Sequence, residues 1–223
     1  IDETVKPLLG ERFHTVVSEK YPGGMPDLVV SKGAFPSRRM RFCTDELKKK
    51  PLKSYIKALG NDPLPINAIG VRAAESVARS KMDRWELGSI FGKNLCDTWR
   101  PLIDWVVQDV IDIHHRHNVL PCPLYLKDKY PSERVGCWPC IMSKKSEVKA
   151  VGETDPGRLV QIRALEEKVA ERAAERLAKT GETFESRGTG KPAFFQAKTG
   201  GGGECWPIDK VSKWAKTERG GHQ

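Results

Sequence analysis

Pro65-Ile-Asn-Ala-Ile-Gly-Val-Arg72, followed directly by Ala73-Ala-Glu-Ser-Val-Ala-Arg79, is the stretch on which the fold turns. A short apolar run ending in Gly and Arg has the length of a buried strand, and the Ala-rich segment after it reads as a helix. Strand, turn and helix in that order are the local grammar of a parallel sheet, whose strands must be joined by crossovers. Downstream, Thr98-Trp-Arg-Pro-Leu102 opens a second such unit, and Asp104 to His114 reads as an amphipathic helix. Upstream, Thr44-Asp-Glu46 reads as a helix cap with an acidic first turn. Pro51 then starts a second helix with Leu52, Tyr55, Ile56 and Leu59 on one face. From Asp155 to Lys179 a periodic Leu/Val/Ala pattern predicts a long exposed helix, and Gly181 to Gln223 reads as a Gly-rich tail or lid. The expected fold class is α/β, a parallel sheet flanked by helices. One domain is expected over residues 1–150, with a helix and flexible tail over 151–223.

A chain of 223 residues suffices for one substantial core, and its formal net charge of +9 favours an anionic partner: a nucleotide, a nucleic acid or an acidic protein. Six cysteines are too sparse for a secreted disulfide scaffold. No signal segment opens the sequence and no apolar run is long enough to cross a bilayer, so a cytoplasmic, reducing setting with no membrane partner is expected.

In that setting the pair Cys137-Trp-Pro-Cys140, behind Arg134-Val-Gly136, reads as metal or redox chemistry. Two thiolates at this spacing can hold one metal or one cluster iron from the same turn. Cys43 and Cys122 offer two further sulfurs. One pair plus two separated singletons suits an iron–sulfur cluster better than zinc, which more often uses two compact pairs; two buried thiols without a metal are the plain alternative. Cys96 reads as a small buried thiol. Cys205, behind Gly200-Gly-Gly-Gly-Glu204, is either a mobile thiol that visits an active site or an ordinary tail cysteine. Those glycines are no phosphate loop, because neither Lys-Ser nor Lys-Thr follows them. Arg72, Arg79, Arg100 and Arg134 adjoin strand ends and turns and are the anion-binding candidates. His114, His115 and His117 read as surface residues.

Four blocks resemble the phosphoadenosine phosphosulfate (PAPS) reductases of the PP-loop adenine-nucleotide hydrolase superfamily. They are Arg41-Phe-Cys-Thr-Asp-Glu-Leu-Lys48 with Pro51-Leu52, then Ile69-Gly-Val-Arg-Ala-Ala-Glu-Ser76 with Arg79, then Trp99-Arg-Pro-Leu-Ile-Asp-Trp105 with Asp109-Val110. The fourth runs from Pro123-Leu-Tyr125 to Arg134-Val-Gly-Cys-Trp-Pro-Cys140. The resemblance implies an adenine-nucleotide alpha-hydrolase-like sheet with nucleotide at the carboxyl ends of its strands. It implies that Lys48 and the four arginines contact nucleotide, and that Cys43, Cys137 and Cys140 are three ligands of a [4Fe–4S] cluster. Thr44 follows Cys43 where such reductases carry a second cysteine, so Cys122 is taken as the replacement ligand. The Ser-Gly-Gly-x-Asp-Ser phosphate loop is absent from the sequence: either the first strand and loop lie upstream of Ile1, the preferred reading, or this protein has abandoned that site. Of the family's catalytic Glu-Cys-Gly-Leu/Ile-His only Glu204-Cys205 matches.

Three functions follow. A sulfonucleotide reductase would use Cys205 as nucleophile, PAPS or its relative APS as substrate and a thioredoxin-like reductant. An ATP pyrophosphatase of the same fold would pass sulfur to DNA or tRNA. A metal-stabilised, non-catalytic binding module is the third.

Overall fold

The computed structural model describes residues 5–37, 39–60, 62–88, 96–120, 136–137, 139–188, 190–196 and 205–218. In chain order the elements are α1 (Lys6–Leu9), α2 (Met25–Lys32), α3 (Phe42–Thr44), α4 (Lys50–Ala58), β1 (Ile66–Ala68), β2 (Trp85–Glu86), β3 (Asp97–Trp99) and α5 (Val107–Arg116). They continue with α6 (Lys145–Thr154), α7 (Pro156–Ala178), β4 (Phe195–Gln196), β5 (Cys205–Trp206) and α8 (Ile208–Ala215). The chain divides into two compact units, residues 1–18 with 48–121 and residues 19–47 with 122–223. Among the described residues no helix is long and apolar enough to cross a membrane.

In the first unit the sheet order is β1-β3-β2. β1 pairs parallel with β3 in the register Ile66–Asp97, Asn67–Thr98, Ala68–Trp99, and β2 pairs antiparallel with β3. The expected parallel sheet is thus one parallel pair with an antiparallel edge. That edge is stapled by arginines: the Arg100 N–H donates to the Arg84 carbonyl at 2.8 Å, and the Arg84 guanidinium bonds the Pro101 carbonyl at 3.1 Å and pairs with Asp104. Side chains alternate across the sheet. Cys96, Thr98 and Arg100 lie on a buried face at 0, 0 and 2% exposure, whereas Ile66, Trp85 and Trp99 stand on the other at 56, 43 and 40%.

The helix expected at Ala73–Arg79 is replaced by two 3-10 turns, Ala73–Glu75 and Arg79–Lys81, with Ser76 extended between them. Local polar groups outcompete the helical ladder here. The Glu75 carboxylate accepts the Arg72 N–H at 3.4 Å, Ser76 Oγ accepts the Arg79 N–H at 3.3 Å, and the Ser80 hydroxyl donates to the Val77 carbonyl at 3.0 Å. The helix expected from Asp104 begins at Val107, where the Asp109 carboxylate caps the Val106 N–H at 2.8 Å. Thr44 makes no cap either: a π-helical turn, Asp45–Lys49, joins α3 to α4 without a break. On α4, Pro51 and Ile56 are buried while Leu52 and Leu59 stay exposed at 41 and 57%.

The second unit is built on α7, which buries Ile162, Glu166, Val169 and Leu177 and is therefore a core element rather than an exposed one. α2, α6 and α8 pack against it. α2 ends in Gly33 at φ +62°, and a Cβ there would lie 3.3 Å from the Ala173 backbone, so glycine serves both the left-handed turn and the close approach to α7. The expected flexible tail contains β4, β5 and α8, whose Phe194, Phe195, Ile208 and Val211 join Val29, Val148 and Val169 in one apolar core.

Candidate functional site

In open α/β sheets ligands bind beyond the carboxyl ends of parallel strands. Here those ends are the segments after β1 and β3, and they run side by side: the Ile69 N–H donates to the Trp99 carbonyl at 2.9 Å, and the Ala73 N–H to the Ile103 carbonyl at 2.7 Å. Arg72 lies on the first segment and Arg100 begins the second. Arg79 is brought to Arg72 through Glu75, whose carboxylate pairs with Arg79 at 2.7 Å and with Arg72 at 3.5 Å. Arg100 is 2% exposed; its guanidinium pairs with Glu86 and donates to the Asp83 carbonyl at 2.8 Å.

These partners leave part of each guanidinium unused. Arg72 Nη1 and Arg100 Nε are buried with no hydrogen-bond partner among the described residues, and so are Asn67 Nδ2 and Thr98 Oγ1. A buried donor left unmade costs about 1–3 kcal/mol, so these four atoms, two on the adjacent strands β1 and β3 and two on the segments that follow them, are candidates to meet an acceptor. Neither Asn67 nor Thr98 is singled out by the sequence reading. The available signal was a polar residue in the middle of each strand, Asn67 inside the apolar Ile66–Ile69 run and Thr98 between Asp97 and Trp99.

Lys48 sits exposed in the π-helical turn. Arg134 lies outside the described residues, as does Cys122. Cys43 stands at the entrance of the helical run beginning at Phe42 and is half-buried. Cys137 is exposed, Cys140 half-buried and Cys96 fully buried. Cys140 opens a turn into α6: its N–H donates to Ser143 Oγ at 3.0 Å, and the Ser143 N–H donates back to its carbonyl at 2.9 Å. The thiols are chemically suited to a soft metal or an iron–sulfur cluster. Among the described residues, however, no three His, Cys, Asp or Glu side chains gather as a metal site.

Cys205 lies in β5, paired with Gln196 of β4, and is half-buried. Three residues on, the buried Glu166 carboxylate accepts the Ile208 N–H at 3.0 and 3.1 Å and the Phe194 N–H at 2.9 Å, so one α7 side chain pins both segments of the β4–β5 pair. Burial pushes the Glu166 carboxyl above its ordinary range, against the downward pull of those two backbone hydrogen bonds. Beside it the exposed Arg163 guanidinium grips Asp209 through two hydrogen bonds, 2.8 and 2.5 Å, which hold the Asp209 carboxyl below its ordinary range. His114 Nδ1 lies 3.0 Å from the Val119 carbonyl, while His115 and His117 are exposed.

Residues 26–143 match the phosphoadenosine phosphosulfate reductase domain, and the chain belongs to that family. It is 35% identical over 164 residues to an uncharacterized 37.8 kDa protein of Escherichia phage 186, an alignment covering 72% of this chain and 48% of the phage protein. It is 30% identical over 127 residues to an uncharacterized protein of Methanocaldococcus jannaschii, covering 57% of this chain and 29% of that protein. The chain thus spans about half the length of the phage relative and under a third of the archaeal one.

Proposed function

We propose that this chain is part of a sulfonucleotide reductase that binds PAPS or APS and releases sulfite. The observation that carries this reading is the pair of orphaned guanidinium nitrogens, Arg72 Nη1 and Arg100 Nε, at the carboxyl ends of β1 and β3 in a member of this family. Buried N–H groups of permanently charged side chains suit the oxygens of a phosphosulfate, which accepts hydrogen bonds and donates none. Arg79 offsets the negative charge of Glu75, the carboxylate it shares with Arg72, so that the Arg72–Glu75–Arg79 group stays net positive. Lys48 and Arg134 are proposed as further contacts to the nucleotide.

In the chemistry proposed, the Cys205 thiolate attacks the sulfur of the sulfonucleotide. An S–S bond forms, the S–O bond to phosphate breaks, and the nucleotide leaves as AMP or its 3′-phosphate with the electron pair. A thioredoxin-like dithiol then supplies two electrons, releasing sulfite and becoming a disulfide. Cys43, Cys122, Cys137 and Cys140 are proposed as the ligands of a [4Fe–4S] cluster, with zinc as the alternative metal. Metal analysis and EPR of anaerobically purified protein distinguish four irons, one zinc and none.

The decisive assay measures sulfite released from PAPS and from APS with reduced thioredoxin. Sulfite formation that vanishes in Cys205→Ser while nucleotide binding persists is the expected result, and full activity in that variant removes the mechanism.

A second reading, an ATP pyrophosphatase that transfers sulfur to nucleic acid, is favoured by one feature. The exposed side of α8 and its end presents Lys210, Lys213 and Lys216, and Asp209, the acidic residue on that helix, is held by Arg163. Pyrophosphate from ATP, with no sulfite from either sulfonucleotide, selects this reading.

A further inference from the structure

We propose that Asn67 and Thr98 are ligand-binding residues that take oxyanion oxygens of the bound nucleotide, completing with Arg72 and Arg100 a cradle built from hydrogen-bond donors. The proposal rests on the nucleotide-binding reading above and names which end of the nucleotide this part of the sheet receives.

Asn67 and Thr98 are register partners on the parallel pair β1–β3, so their side chains emerge next to each other on the same face. That face is the buried one, with Thr98 at 0% and Arg100, two residues further along, at 2% exposure. Nevertheless Asn67 Nδ2, Thr98 Oγ1, Arg72 Nη1 and Arg100 Nε have no partner among the described residues. The rest of the Arg100 guanidinium is committed to the Asp83 carbonyl and the Glu86 carboxylate, so its orientation is set and the spare N–H is held in place.

The chemistry of the four atoms limits the occupant. Amide and guanidinium nitrogens can only donate, and a threonine hydroxyl can donate as well. A set of donors, two of them on cations, matches phosphoryl or sulfonyl oxygens and rejects a group that must itself donate. An uncharged nucleoside therefore lacks what this cradle takes.

An orphaned buried hydroxyl also predicts an unusual signature in the protein without ligand. If Thr98 only packs, replacing it with isosteric valine removes an unsatisfied polar group, stabilises the fold and leaves binding alone. If Thr98 binds ligand, the same change leaves the free protein as stable or more so and weakens the complex. Stability and affinity then move in opposite directions, which a purely structural role does not produce.

The experiment measures thermal midpoints and dissociation constants for APS, AMP, adenosine and inorganic sulfate with the wild-type protein, Thr98→Val, Thr98→Ser and Asn67→Leu. Expected are binding of APS and AMP but not adenosine by the wild type, and about tenfold or greater loss in Thr98→Val with an unchanged or raised midpoint. Thr98→Ser, which keeps the hydroxyl, retains affinity within about threefold. Asn67→Leu provides the same test should the valine variant fold poorly. Nucleotide binding by the wild type at equal strength in Thr98→Val and Asn67→Leu overturns the cradle while leaving the nucleotide reading intact. Adenosine binding as tightly as AMP overturns the oxyanion assignment. A wild-type protein that binds no nucleotide overturns both.

Discussion

Glu166 shows how much one side chain can set. It is 8% exposed and lies on the buried face of α7, yet it accepts backbone N–H groups from Phe194 and Ile208 on two otherwise separate segments. Truncation to alanine would leave both donors buried without an acceptor, at about 1–3 kcal/mol each. Glu166→Ala is therefore expected to lose roughly 2–6 kcal/mol in urea unfolding, and Glu166→Gln, which keeps an acceptor oxygen, a good deal less. Ionisation adds a pH signature. Burial raises the carboxyl pKa in the folded state above its unfolded value, so the folded protein holds this proton more tightly. That contribution is fully present below the unfolded pKa and is lost as pH rises through the raised folded value. As pH rises from the ordinary carboxylate range through the raised folded value, wild-type stability should fall relative to Glu166→Gln. Parallel curves for the two proteins would show that Glu166 ionisation is not linked to folding.

At the scale of elements, α7 carries the second unit, and substitutions along it should sort by face. Ile162→Ala, at a position 5% exposed, should cost about 2–5 kcal/mol, whereas Val160→Ala, at 57%, should stay within about 0.5 kcal/mol. Gly33→Ala tests the α2–α7 approach: it places a Cβ in the left-handed region and 3.3 Å from the Ala173 backbone. Strain of about 1 kcal/mol from the dihedral alone, plus the shift needed at Ala173, should lower the urea midpoint, and an unchanged midpoint would mean α2 can move away freely. These elements also show what is readable in a sequence. α7 is legible because many turns of periodic Leu, Val and Ala outweigh any single residue. The Ala73–Arg79 segment is not, because Glu75, Ser76 and Ser80 divert backbone groups that a helix needs, and propensity is silent about such local competition. β1 is visible as an apolar run, but two-residue strands such as β2, β4 and β5 exist through pairing alone and carry no pattern of their own. The cysteines and arginines of the candidate sites announce themselves by residue type. Asn67 and Thr98 become conspicuous only once the register places them together without partners.

For the molecule as a whole, a formal charge of +9 draws anions of every size, so weak polyanion binding by itself would not separate a nucleotide enzyme from a nucleic-acid enzyme. Location and salt dependence do separate them. Lys210, Lys213 and Lys216 lie along the exposed side of α8 and its end, Lys210 stands over the Trp206 ring at 4.2 Å, and the Asp209 charge is taken up by Arg163. Such a surface, basic with an aromatic at its edge, is what a phosphate backbone would meet in the second functional reading. Each phosphate contact contributes roughly 0.7–0.9 to the slope of log affinity against log salt. Replacing the three lysines by glutamine should therefore lower that slope by roughly 2–3 if α8 is the contact, measured by anisotropy with a fluorescent random-sequence oligonucleotide across a salt series. The same variant should bind AMP as the wild type does, because the orphaned donors belong to β1, β3 and the segments that follow them. An unchanged slope would place polyanion binding elsewhere on the basic surface. A slope and an AMP affinity that fall together would mean that one anion site serves both ligands, which would remove the separation between the two readings.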